Sequence, residues 1–147
     1  MRGDSKVSGI VNFEQATEDG PTTISWEIKG NDPNSLRGFH IHEFGDSGGC
    51  ATTGPHFDGG NGYPHAAPEA EKRHIGDLGN ITTDADGLAK GTMQDLWVKL
   101  SGKNSVIGRA VVVHDGTDDL GEGGHENSKV NGNAGGRAAC GTIGYTN

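Results

Sequence analysis

Cysteine is nearly missing from this 147-residue chain. The two present, Cys50 and Cys140, are not in a CxxC spacing, which argues against thiolate metal ligands. Aromatic residues are also scarce, at 5% of the chain, so any core is built with few large rings. Basic residues are outnumbered, 12 Lys and Arg against 20 Asp and Glu, for a net charge of −8. That balance disfavours nucleic acid and anionic membranes as partners. No apolar run approaches the length of a membrane span, and the opening "MRGDSKVSGI" has no apolar stretch of the kind a secretory leader needs. The expectation is a soluble, cytoplasmic protein. On that expectation the two cysteines would be free thiols.

Glycine is what the chain has in excess. The hydrophobic fraction is only 31%, but 27 residues are Gly, about 18% against a usual value near 7%. The sum is ordinary for a globular protein, and so much glycine favours turns, bulges and shaped loops over long helices. The length fits one domain, 1–147.

Short alternating segments predict strands at 7–14, 22–29, 37–44, 78–83, 88–93, 95–100, 105–114 and 139–145. In the second, Ile24, Trp26 and Ile28 alternate with polar residues. "DADG" at Asp84 to Gly87 reads as a hairpin turn, since the glutamate that closes a calcium loop is lacking. "RGD" at Arg2 to Asp4 and "NIT" at Asn80 to Thr82 read as chance matches. Residues 46 to 76 and 115 to 138 do not alternate, and loops of that length are usually functional or disordered. The pattern predicts an all-β antiparallel sandwich or flattened barrel with two long functional loops.

Those loops and strand ends carry the seven histidines: His40, His42, His56, His65, His74, His114 and His125. In "GFHIHEFGD", His40 and His42 share one face of a strand and Phe39 and Ile41 the other. Two imidazoles at i and i+2 lie about 6.5–7 Å apart at the backbone, close enough to converge on one ion. His74 is followed three residues on by Asp77, and His114 four residues on by Asp118. Imidazole suits zinc and copper, and imidazole with carboxylate remains compatible with zinc.

Five segments, "GFHIHEFGD", "GPHFD", "EKRHIGDLGN", "VVVHDGTDDLGEGG" and "GNAGGRAACGTIG", together resemble the copper/zinc superoxide dismutases, and among them the fungal cytosolic forms. The resemblance runs from about Gly3 to Asn147, with the motifs in family order. It implies a Greek-key β-barrel or sandwich, immunoglobulin-like, and an enzyme that disproportionates superoxide to O2 and hydrogen peroxide as an antioxidant. By motif, the copper ligands would be His40, His42, His56 and His114, and the zinc ligands His56, His65, His74 and Asp77. His56 would bridge the metals and carry a proton, and His125 is left over. Asp118 would hold ring N–H groups of one ligand to each metal. Arg137 would attract the anion beside the copper. The resemblance further implies a Cys50–Cys140 disulfide, a homodimer, and metal loading by a copper chaperone.

The sequence departs from the family in three places. Met1 and Arg2 stand where a first strand should end, so that strand is almost wholly missing and an edge is left unpaired. "GDSGGC" is one residue shorter than usual and "HFDGGNGYPH" one longer. In the guiding loop, Glu122 and Val130 replace lysines common in relatives, with Lys129 adjacent. This predicts a weaker positive funnel.

Overall fold

The computed structural model describes residues 1–146. One antiparallel sheet is formed by β1 (Ser8–Gln15), β2 (Thr22–Lys29) and β5 (Ala89–Asp95), with β2 in the centre. The other contains β3 (Leu36–His42), β4 (Asp77–Thr82), β6 (Ala110–His114) and β7 (Arg137–Thr142), in the order β4-β3-β6-β7. Helical structure among the described residues is confined to a 3-10 turn at Cys50–Thr52 and the four-residue helix α1 (Ser128–Asn131). None of it is long and apolar enough to cross a membrane.

Alternation decides what each strand buries. Ile24 and Ile28 of β2, Phe39 and Ile41 of β3, and Val111 and Val113 of β6 meet in the core between the sheets. The opposite face of β3 and β6 is not left to solvent. His40 and His42 are buried there, and Ala110 and Val112 pack against Cys140 and Cys50. Burial on both faces explains the unbroken apolar run of β6.

Of the expected barrel or sandwich, the structure is the sandwich, because the sheets do not close. Strands β1 and β7 are both edges, and the first residues of the chain join them at one end. The Met1 amino group donates to Gly9 O (2.8 Å), and Arg2 and Cys140 exchange two backbone hydrogen bonds of 2.9 Å. Beyond that point a groove of about 310 Å3 separates the edges, lined by Val11, Phe13, Leu100, Ile107, Val111 and Ile143. The short backbone pairing of Arg2 with Cys140 is thus the link between the two edges at that end.

Three local expectations are corrected. The strand expected at 95–100 does not form: β5 ends at Asp95, whose Oδ1 accepts from Trp97 N (2.8 Å) and Val98 N (2.9 Å) and turns the chain. The strand expected at 105–114 is shortened to β6. "DADG" is a turn, with Asp84 Oδ1 accepting from Asp86 N and Leu88 N, but it joins strands of different sheets and so is not a hairpin.

Candidate metal centre

Six of the seven histidines converge on the outer face of β3 and β6, beneath the two long loops. His40, His42, His56 and His114 form one group. Backbone carbonyls set the tautomers of two of them: His42 Nδ1–H donates to Gly54 O (2.8 Å), and His114 Nδ1–H is shared between Gly135 O and Gly136 O. Their Nε2 atoms therefore carry lone pairs, and these face each other at 3.4 Å. His40 donates Nε2–H to Asp118 Oδ2 (2.7 Å), which leaves its buried Nδ1 without a partner. Nε2 of His56 is likewise buried and unpartnered. Converging lone pairs that lack protons are costly unless a cation lies between them.

His56, His65, His74 and Asp77 form the second group. Asp77 Oδ1 lies 2.9 Å from His56 Nδ1, 2.8 Å from His65 Nδ1 and 3.3 Å from His74 Nδ1. Tetrahedral ligands bound at about 2.0–2.1 Å stand about 3.3–3.4 Å apart, so these donors need little movement to hold zinc. The backbone amides of Ala66 and His74 bind Asp77 Oδ2 and aim the other oxygen at the histidines. His56 belongs to both groups, one ring nitrogen facing each. Four imidazoles suit copper; three imidazoles with one carboxylate suit zinc.

Charge states follow burial. Burial lowers the pKa values of His40 and His42, and brings that of His114 to about 4. In His56, burial outweighs the hydrogen bond to Asp77 and the net shift is downward. Burial also works against a charged His65, but hydrogen bonds to Asp118 and Asp77 overcome it and raise its pKa to about 9. For Asp77, burial pushes upward, yet hydrogen bonds from His56, His65 and His74 hold it well below the usual carboxylate range. A charged His65 stabilises the metal-free fold fully below its unfolded value of 6.5, and this stability is lost as pH rises through about 9.

Zinc needs the Nδ1 lone pair of His65, so zinc added alone to metal-free protein near pH 7.5 is expected to release a proton from that ring. Calorimetry in buffers of different ionisation enthalpy measures it. In His65→Ala that proton should disappear from the count.

Asp118 links the groups, accepting from His40 through Oδ2 and from His65 Nε2–H through Oδ1 (2.8 Å). Gly132, at φ 74°, lets the loop pass directly over this contact, since a Cβ there would collide with Asp118 Oδ1 and His65 Nε2. Arg137 is held beside the first group: its guanidinium donates to Cys50 O, Thr53 Oγ1 and Gly54 O. Gly54 O thus receives both Arg137 and His42 of the first group. A disulfide joins Cys50 to Cys140, with a Cα–Cα distance of 5.6 Å. This corrects the expectation of free thiols and agrees with what the resemblance implies.

The structure therefore brings together all the expected ligand residues and leaves His125 apart, capped locally by Asn127 N. Several supporting residues had no signal of their own in the sequence. Arg73, buried next to His74, donates to Asp77 O (2.6 Å) and to both oxygens of Asp95 (2.8 and 2.6 Å). Asn80, half-buried, binds the Asp118 backbone, so the carboxamide of the glycosylation-like "NIT" asparagine is engaged in hydrogen bonds within the chain. The Arg73–Asp95 pair was not legible because its partners are 22 residues apart and meet only between sheets.

The chain matches the family model described as copper/zinc superoxide dismutase over residues 7–143. A Cu-Zn superoxide dismutase of Candida albicans is 64% identical over 147 residues, covering 99% of this chain and 95% of the relative. Relatives of the same name from Debaryomyces hansenii and Cordyceps militaris are 63% and 61% identical. They cover 99% and 100% of this chain, and 95% and 96% of their own lengths.

Proposed function

The chain belongs to the copper/zinc superoxide dismutase family, and from that premise we propose that it disproportionates superoxide, converting two superoxide anions and two protons into O2 and hydrogen peroxide. The single observation that carries the assignment is His56, whose two ring nitrogens face two different groups of ligand atoms. His40, His42, His56 and His114 would hold copper, and His56, His65, His74 and Asp77 zinc. Bound there, copper would supply a one-electron couple open to superoxide and zinc a fixed positive charge.

The chain's own residues do the rest. His40, His42 and His114 are kept neutral by burial and offer lone pairs in fixed tautomers. His56 carries the proton, its Nε2 facing the copper side while Nδ1 stays against Asp77. Asp118 orients His40 and His65. Arg137, with three protein acceptors fixing its fork, draws the anion toward the copper side.

One domain, 1–147, is supported by two sheets sharing one core and by the extent of the family match. A homodimer is supported by the resemblance and by exposed Phe44, whose ring lies against Gly54. Loading by a copper chaperone and a cytoplasmic location rest on the resemblance. The net charge of −8 argues against nucleic acid as a partner.

The test is direct superoxide decay per bound copper, for metal-free protein and for protein reloaded with copper and zinc. Fast, copper-dependent decay is expected. Bound copper without acceleration would instead favour a metal carrier. Because Glu122 and Val130 weaken the funnel, the rate should fall only gently with added salt, and Glu122→Lys should raise it about two- to threefold at low ionic strength and steepen the salt dependence. A steep fall in the unsubstituted protein would contradict the weak funnel.

A further inference from the structure

Strand β4 contains an irregularity that brings two of its side chains onto one face. Its partners on β3 run Leu36 to Thr82, Arg37 to Ile81 and Gly38 to Asn80, and then shift so that His40 faces Asp77. One extra residue of β4 is absorbed there. In a regular strand Asp77 and Asn80, three residues apart, would point to opposite faces. With the bulge, Leu78 and Ile81 both enter the core, while Asp77 and Asn80 both serve the metal-binding side. Gly79 adopts φ 79° at this point, a conformation that favours glycine, and bulges of this kind re-aim side chains beside functional sites.

Asn80 then treats Asp118 as a neighbouring strand would. Its Nδ2–H donates to Asp118 O (2.9 Å), and its Oδ1 accepts from Asp118 N (2.8 Å). Both backbone groups of one residue are held by one carboxamide. That residue carries the carboxylate shared by His40 and His65, each at 2.7–2.8 Å. Asparagine suits this place because it offers one donor and one acceptor side by side. Aspartate would set a second oxygen against Asp118 O, and alanine would leave both backbone groups unmatched.

We infer that Asn80 is a positioning residue for the proposed reaction: through the Asp118 backbone it fixes the carboxylate that couples the copper ligands to the zinc ligands, and the β4 bulge is what brings it into reach. The inference rests on the copper–zinc assignment. It requires Asn80 to touch neither metal nor substrate.

The test uses full-length protein labelled with 15N-histidine, unsubstituted and as Asn80→Ala and Asn80→Asp. The Nε2–H protons of His40 and His65 are followed by NMR, in metal-free and reloaded protein, and zinc affinity is measured by chelator competition. In the unsubstituted protein both protons should exchange slowly with water. In Asn80→Ala they should exchange at least tenfold faster, and zinc affinity should fall about tenfold, the low end for residues that support metal ligands. Asn80→Asp, which keeps the acceptor and loses the donor, should change both readouts in the same direction, and it decides the matter if the alanine variant does not fold. A purely structural role would lower the melting temperature but leave both protons protected in the folded protein, and that result overturns the inference. If the unsubstituted protein binds neither metal, the copper–zinc assignment fails instead, while the two protons of the metal-free protein still report on Asn80.

Discussion

His56→Ala is expected to lower superoxide decay per bound copper by about 10²–10⁴-fold, the range for loss of a positioned proton carrier. No other side chain belongs to both four-residue groups. Its Nδ1 faces Asp77 at 2.9 Å, and its Nε2 is buried with no protein partner. Truncation removes a side chain from each group and, among the described residues, the one imidazole that would pass a proton between them in the proposed reaction. Normalising the rate to copper content separates lost chemistry from lost metal. His125→Ala is the matched control: that ring is exposed in the loop before α1, and decay should stay within twofold of the unsubstituted protein. A His56→Ala protein that kept more than a tenth of the rate would remove His56 from the proton path.

The second large effect concerns stability. Asp95→Ala should destabilise the metal-free protein by about 3–5 kcal/mol, because it strands a buried charge. Arg73 is 1% exposed, binds both oxygens of Asp95, and stacks on the Trp97 ring at 5.3 Å. For a chain of this size the melting temperature should fall by roughly 10 °C. Asp95→Asn, which keeps one acceptor oxygen, should lie between. Replacing both Arg73 and Asp95 with apolar residues should cost less than Asp95→Ala alone, since no unpaired charge remains. Arg73 also holds the Asp77 carbonyl, so Asp95→Ala should weaken zinc binding as well. A loss below about 1 kcal/mol would mean that water reaches the guanidinium.

The covalent tie acts on the same loops. Cys50–Cys140 closes a separation of 90 residues, which in the chain-entropy model is worth roughly 4–5 kcal/mol. It also anchors the segment whose Cys50 carbonyl receives Arg137, so the bridge serves both the fold and the placement of that guanidinium.

Much of the site was legible because a strand has a period of two. Phe39 and Ile41 against His40 and His42 could be assigned to opposite faces from four letters. The whole of β2 was legible for the same reason. Alternation fails where a side chain captures the backbone. At Asp95 the carboxylate takes two amides and ends the strand, although the following residues look strand-like. It fails again at the β4 bulge, where the gap of three between Asp77 and Asn80 hides a shared face.

By itself, then, the sequence determined the all-β class, which histidines and aspartate the fold gathers into two groups, and the imidazole chemistry, since these depend on residue type, local spacing and the order of motifs. Only the tertiary structure decided that the sheets stay open between β1 and β7, that lone pairs of His42 and His114 face each other, and that Asn80 and Gly132 frame Asp118. Those features join residues tens of positions apart, and their energies come from burial and hydrogen bonding across loops, which no local pattern encodes.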